Sequence, residues 1–373
     1  MAVAAPERPQ APPSDAPPVE IAERPSAFGL ADTGVLVACA ASTFTFVWLL
    51  FFRIAPLSGV VGFSICWYLL FLAAYWFVVR ELDGPVLAGD RLMAVVVTSA
   101  AIAMVVPLFL ILGYITVKGI HALRLTFFFR TMETVGPLAS STAGGAAHAI
   151  VGTLEQVAIA VVLTVPLGFL CAICLNEIGG PLRRPIRLFV DAMSGVPTIV
   201  AGLFVYAIWV SHFGFSGFAA ALAISISMLP LVTRTSEEVL RLVPDGLRES
   251  SLALGTSEWR TVWGVVLPTA RSGLITAVIL GVARAIGETA PLIMTAFGAS
   301  VMNANPFKGA QSALPLFIYK QMTESSVASV QLRAWTASLV LMLMVLVLFS
   351  VARLVGSRAA KGGRLRRAPE KYR

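Results

Sequence analysis

Charge is scarce in this chain. Of its 373 residues only 13% are Asp, Glu, Lys or Arg, against about 25% in an ordinary soluble domain. Cysteine and histidine are scarce too, with four of one and three of the other. Cys39, Cys66, Cys171 and Cys174 all fall inside apolar runs. Cys171 and Cys174 form a C-x-x-C, but no second pair or ligand histidine accompanies it, so the four read as small, polarisable packing residues. His121, His148 and His212 are widely separated near the ends of apolar runs and suggest no metal site. The chain has no G-x-x-x-x-G-K-[ST], so it carries no Walker A loop to cradle ATP phosphates. Nucleophile elbows and clustered His/Cys/Asp sets are missing as well. The expectation is therefore a protein without metal or cofactor, and not an enzyme.

What the sequence has in abundance is apolar length: 57% of residues are hydrophobic and the mean hydropathy is +0.84. No soluble core needs that much, so the chain reads as an all-α polytopic membrane protein. Eight runs approach or exceed the ~20 residues that a helix needs to cross a bilayer. They span about 34–52, 60–79, 93–117, 149–175, 189–211, 217–234, 272–297 and 333–353.

Residues 1–33 are Pro/Ala-rich and lack the basic stretch and short apolar segment of a cleaved signal peptide. They read as a disordered cytoplasmic tail. The C-terminal tail, 354–373, is strongly basic, with only Glu370 opposing its Lys and Arg residues. By the positive-inside rule this puts both termini in the cytoplasm. The segments 80–92, 176–188 and 235–271, which carry Arg80, Arg91, Arg183, Arg184, Arg187, Arg241, Arg248, Arg260 and Arg271, then lie inside as well. Two long loops, 118–148 and 298–332, fall outside, and each contains apolar segments suited to short interfacial helices or gate covers.

Inside the run 272–297 stand two ionisable residues, Arg284 and Glu288, four positions apart. On one continuous helix they would share a face with Gly273, Ala277, Gly281, Pro291 and Thr295, all small or polar. Charges at mid-bilayer cost roughly 2.5–3.5 kcal/mol each, so they mark a solute path by default. The plainer reading is an ion pair that only lets the helix insert. Lesser candidates are Glu155 near the outer interface and Asp191, expected to cap its helix or pair with Arg187. Gly195-Val196-Pro197 and Pro230 are expected to kink their helices around a cavity.

The most specific segment is Glu249-SSLAL-Gly255-TSEWRTVWG-Val265-Val266-Leu267-Pro268. It reads as two short helices meeting at an angle. The first begins near Asp245 and stops at Gly255, a residue suited to a left-handed helix end. Thr256 or Ser257 caps the second. Trp259, Val262, Trp263 and Val266 form one apolar face, and Pro268 ends the helix before the next span.

The pattern E-x5-G-x9-[IV]-x-L-P, carried by Glu249, Gly255, Val265, Leu267 and Pro268, resembles the EAA loop of ABC-importer permeases. Ser250 and Ser251 stand where that motif has two alanines. Residues 191–208 (DAMSGVPTIVAGLFVYAI), 281–296 (GVARAIGETAPLIMTA) and 312–319 (SALPLFIY) closely resemble the PstA family, permease subunits of high-affinity phosphate importers. The likeness extends over about 93–353, with the type-1 ABC transmembrane domain beginning near His148.

The resemblance implies a six-helix permease core, so spans one and two (34–85) exceed the family plan. It also implies a heterodimer with a PstC-like permease, two copies of a PstB-like ATPase gripping the loop from Glu249 to Pro268, and a PstS-like phosphate-binding protein outside. ATP-driven closure of the ATPase pair would turn the pore from inward- to outward-facing. The Arg284 guanidinium would offer phosphate a bidentate fork, and Glu288 would accept a hydrogen bond from a protonated phosphate oxygen. Two rivals stay open: a permease for another oxyanion such as sulfate or molybdate, and an ion-coupled secondary carrier. The carrier leaves the EAA-like loop without a role.

Overall fold

The computed structural model describes residues 29–54 and 59–362. The expected Pro/Ala-rich tail up to residue 28 and the basic tail from 363 onward lie outside the described residues. The described chain is helical throughout, and its one β feature is an isolated bridge between Phe297 and Gln311. Among the described residues seven helices are long and apolar enough to cross a membrane, or eight if one bent pair counts as a single span.

Two compact units divide at Phe109/Leu110. The first contains α1 (Leu30–Leu49, prolonged by a π turn Leu50–Ile54), α2 (Val60–Asp83) and most of α3 (Pro85–Gly119). The connection expected over 80–92 does not exist as a loop. Gly84 alone, at φ +89°, separates α2 from α3, because only glycine takes that conformation without a Cβ clash. Arg91, counted in the sequence as a cytoplasmic positive charge, is neutralised at 2.7 Å by both Asp32 and Asp83, which ties the ends of three helices together. Behind that knot lie Cys39, Phe71, Tyr75, Val79 and Ala88.

The second unit is built around α4 (Ala147–Ile173, prolonged by a π turn Cys174–Ile178) and α8 (Gly217–Arg241). Between them run α5 (Arg183–Ser194), α6 (Thr198–Val205), a π turn Tyr206–Val210 and α7 (Ser211–Phe213). After α8 come α9 (Asp245–Ala253), α10 (Glu258–Thr261), a π turn Val262–Val266 and α11 (Leu267–Ile286). Then follow α12 (Ala290–Thr295), α13 (Leu314–Thr323) and α14 (Ala328–Gly362).

Helix α8 starts where the Ser216 hydroxyl accepts the Ala219 N–H at 3.1 Å, a side-chain cap. Its buried residues include Gly217, Ala219, Ala220, Ala221 and Ala223, and small residues let neighbouring backbones come close where lipid supplies no hydrophobic drive. The partners answer in kind. Gly168 of α4 lies against Val232, and Gly273 and Gly281 of α11 lie against Val239, Val232 and Met228. The small face read along 272–297 is therefore a helix-packing face as far as Gly281.

The sixth expected span runs on to Arg241 and the eighth covers Ala328–Gly362, and three others differ further. The third is longer at both ends. The fifth is broken at Gly195–Pro197, where the segments Arg183–Ser194 and Thr198–Phe213 bend by 105°. The seventh stops at Ile286, and α12 is a separate helix. In the loop 298–332, Leu314, Pro315, Leu316 and Phe317 of α13 are buried in the unit, where a surface helix or gate cover was expected. Gln311 anchors that loop. Its Nε2 donates to Glu155 Oε2 at 2.5 Å and to the Asn303 carbonyl at 2.9 Å, and its Oε1 accepts from Gln156 Nε2 at 3.0 Å. Glu155 is thus an anchor for the loop.

A Cβ added to Gly152 would overlap the Ser312 carbonyl. Gly152→Ala is expected to force the loop off α4 and lower stability by about 1–3 kcal/mol. Thermal unfolding of the detergent-purified chain measures this, and an unchanged midpoint would refute it.

Candidate functional site

Arg284 occupies the last turn of α11, and Gly287 closes that helix before Glu288. The two charges therefore do not share a continuous helix face; they flank a break. Arg284 Nε still stands 3.4 Å from Glu288 Oε1. The arginine side chain is 54% exposed and the glutamate 13%, so Glu288 backs the pair while Arg284 points outward.

Arg284 faces a cavity of about 330 Å³ bounded by Met193, Ser194, Val196, Thr198, Ser227, Pro230, Leu231 and Arg234. One helix break, Gly195–Pro197, borders it through Val196, and a second, Gly287–Thr289, follows the end of the helix that carries Arg284. The breaks are held together where Gly202 of α6 packs against Pro291 of α12. Non-helical backbone at membrane depth survives only where protein buries it or a watery cavity meets it, and the first break meets the cavity at Val196.

Arg234 and Asp191 complete the charge set. Asp191 does not pair with Arg187 but accepts from Arg234 Nη2 at 2.7 Å. Arg187 instead donates to Glu237 at 2.6 Å, and Glu237 also binds Arg241. Helix α5 packs along α8, so partners across that interface displace the i,i+4 partner within α5. Arg234 was missed because the apolar run ended there, although α8 continues to Arg241. The signal was present in the helical row Ser227, Pro230, Leu231, Arg234, which carries past the apolar run. Among the described residues no cluster of three or more His, Cys, Asp or Glu side chains is arranged to hold a metal.

The second element is the loop after α8. Gly255 has φ +80° and ends the turn after α9, as its sequence context implies. Ser257 takes the N-cap position of α10 with no side-chain hydrogen bond. Thr256 turns inward instead: its hydroxyl donates to the Ser251 carbonyl at 2.6 Å and meets the hydroxyls of Ser251 at 2.7 Å and Thr261 at 3.0 Å. Ser251, standing in a motif alanine's place, is thus part of a hydroxyl cluster at the corner.

Pro268 does not end the helix, because Glu258–Ile286 runs on as one span. The π turn Val262–Val266 just upstream shifts the register where proline lacks an N–H, and absorbs the break. The same turn splits the expected apolar face. Val262 and Val266 are buried against Ala172, Ile173 and Leu240, while Trp259 and Trp263 remain about half exposed, at 52% and 53%. Glu249 and Gly255 are exposed, Val265 and Leu267 are half-buried, and Pro268 is exposed. Below this corner, Arg248 makes a two-pronged contact with Glu177 at 3.0 and 2.8 Å. The Glu177 hydrogen bond raises the guanidinium above its usual pKa.

Residues 164–361 match the family model described as binding-protein-dependent transport system inner membrane component. The chain is 41% identical over 273 residues to the phosphate transport system permease protein PstA of Mycobacterium leprae (strain TN), covering 72% of this chain and 89% of that one. PstA 1 of Mycobacterium tuberculosis (strain ATCC 25618 / H37Rv) is 40% identical, with 72% and 87% covered. The chain belongs to the PstA family. PstA of Xylella fastidiosa (strain 9a5c) is a further relative, 39% identical with 63% and 81% covered. Membership makes this a multi-pass membrane transport subunit, in line with the long apolar helices. Among solved structures, a bacterial alginate ABC transporter in complex with alginate pentasaccharide-bound periplasmic protein shares the fold. Its TM-score is 0.54 at 12% identity, over 76% of this chain and 97% of that one. The PstA-family fold is thus the ABC importer permease fold.

Ser251→Ala restores the motif alanine and leaves Thr256 and Thr261 bonded to each other. It is expected to cost less than about 1 kcal/mol. Ser251→Leu overfills the corner and is expected to cost about 1–3 kcal/mol. Melting temperatures of the two variants side by side test this; equal losses would refute it.

Proposed function

We propose that this chain is the permease subunit of an ATP-driven phosphate importer and that phosphate passes through the cavity between Arg284 and Arg234. The observation that carries the reading is that cavity: two guanidiniums, three hydroxyl side chains and the broken helix at Val196 converge on one space. Guanidinium matches phosphate as a planar fork of charge-assisted donors. Asp191 and Glu288 hold the arginines when the path is empty. They also accept hydrogen bonds from a protonated phosphate oxygen, which sulfate does not have.

The chain works with a PstC-like permease, two PstB-like ATPases and a PstS-like phosphate-binding protein. Supporting the ATPase contact, Leu252, Leu254, Trp259 and Trp263 are exposed beside Glu249 on the loop after α8. An apolar patch of that kind on a polar rim suits a soluble partner. ATP-driven closure of that partner moves the helices by rigid-body rotation between inward- and outward-facing states. Both termini lie in the cytoplasm, as the Lys/Arg distribution requires. The relatives named PstA favour phosphate over sulfate or molybdate, and the exposed loop favours an ATPase over ion coupling.

Radiolabelled phosphate uptake in phosphate-starved cells lacking this gene tests the reading, with immunoblots confirming insertion. Arg284→Gln and Arg234→Gln are each expected to lower uptake at least about tenfold, equivalent to roughly 1.4 kcal/mol of lost interaction. Uptake independent of this chain would refute the substrate. Glu288→Gln is expected to narrow the preference for phosphate over sulfate, and an unchanged ratio would refute the proton-acceptor role.

A further inference from the structure

We infer that Arg248 is a positioning residue that fastens the loop helix α9 to the ends of α4 and α8, so that movement of α9 is passed directly to the helix bearing Arg234. This rests on the reading that an ATPase grips that loop.

The geometry leaves the guanidinium no spare donor. Nε donates to Glu177 Oε2 at 3.0 Å and Nη2 to Glu177 Oε1 at 2.8 Å. Nη2 also donates to the Leu240 carbonyl at 2.9 Å. Nη1 donates to the Val243 carbonyl at 2.6 Å and to Asp245 Oδ1 at 2.9 Å. A guanidinium has five N–H donors in a rigid fork, and each has an acceptor here. Lysine has three donors on a flexible stem and cannot reproduce the set.

The acceptors lie on three elements. Glu177 sits in the π turn that ends α4, its side chain 5% exposed, and Asn176 Nδ2 holds its Oε1 at 2.6 Å. Leu240 and Val243 supply carbonyls at the C-terminal end of α8, where a cation meets the negative end of the helix dipole. Asp245 opens α9 itself. Beneath the contact, Ala172 and Ile173 of α4 pack with Leu240, Val243, Val262 and Val266 in one apolar cluster. Leu240 is six residues from Arg234 along α8, about 9 Å of rigid helix at 1.5 Å per residue. A loop joined to the membrane only by its chain ends would bend under load. One joined by four hydrogen bonds to Glu177, Leu240 and Val243 over a packed cluster moves the helix ends with it.

The test compares Arg248→Gln, Arg248→Lys, Glu177→Gln and the double variant Glu177→Gln/Arg248→Gln in the full complex, recovered by a tag on this chain. Three quantities are read: ATPase retained in the complex, phosphate dependence of its ATP hydrolysis in proteoliposomes, and radiolabelled phosphate uptake per inserted chain. Each single variant is expected to retain the ATPase, lose the phosphate response of hydrolysis, and lower uptake about tenfold. The double variant is expected to be no worse than the more severe single one, and Lys is expected not to rescue.

Normal uptake in Arg248→Lys or Glu177→Gln overturns the inference, and so do multiplicative losses in the double variant. Loss of the ATPase from the complex overturns it in favour of a docking role for Arg248. Failure of both Arg248→Gln and the milder Glu177→Gln to insert overturns it in favour of a folding role. A wild-type complex that holds no ATPase refutes the underlying reading and the inference with it. That outcome is distinct from an intact complex whose variants transport normally.

Discussion

Backbone and charge inside a hydrocarbon slab must find a partner in the protein or in water, and the second unit is arranged around meeting that condition at one place. Its two sharpest interruptions of helix, Gly195–Pro197 and Gly287–Thr289, would each leave peptide groups unsatisfied in lipid. At the first, Val196 lines the cavity that Arg234 and Arg284 share; just beyond the second, Pro291 is packed against Gly202 of α6. The breaks, the charges and the cavity require one another. Without the cavity the arginines have no water, and without the breaks Arg284 and Glu288 would be stacked along a continuous helix.

The surrounding packing keeps these interruptions in register. Helix α8 touches α4, α11, α6 and α5, and its contacts with α4 and α11 depend on glycines that leave no room for a Cβ. Ion pairs across the α5–α8 interface, Arg187–Glu237 and Asp191–Arg234, then fix rotation where small side chains alone would let one helix turn against another. At the far end of the same helix Arg248 engages its last carbonyls. One helix therefore carries cavity, interface and loop contact.

Local features were readable from the sequence where local chemistry decides. Apolar length marked the spans, Gly255 marked the end of α9, and the isolation of Arg284 and Glu288 in an apolar run pointed to the candidate site. What could not be read depends on neighbours distant along the chain. Gly195-Val196-Pro197 announces an interruption, but its 105° angle is set by the helices around it. Asp191 has Arg187 one helical turn away and takes Arg234, 43 residues on. Glu177 meets Arg248 across 71 residues. The Pro268 expectation failed for a different reason: a π turn can absorb a proline that would otherwise end a helix, and no residue pattern announced it.

The charge balance of the cavity bears on how such a path would work. Arg234 and Arg284 are offset by Asp191 and Glu288, so the empty site has no net charge to desolvate. An entering oxyanion then has to compete with two resident carboxylates for the guanidinium donors. Binding is weakened by that competition, and weak binding is what a path needs, since an ion held tightly enters readily but does not leave. A monovalent or partly protonated oxyanion suffers least from the carboxylates and can donate a hydrogen bond to them. On this reasoning the proposed path would sort anions by their protons, with tight capture left to a separate binding protein.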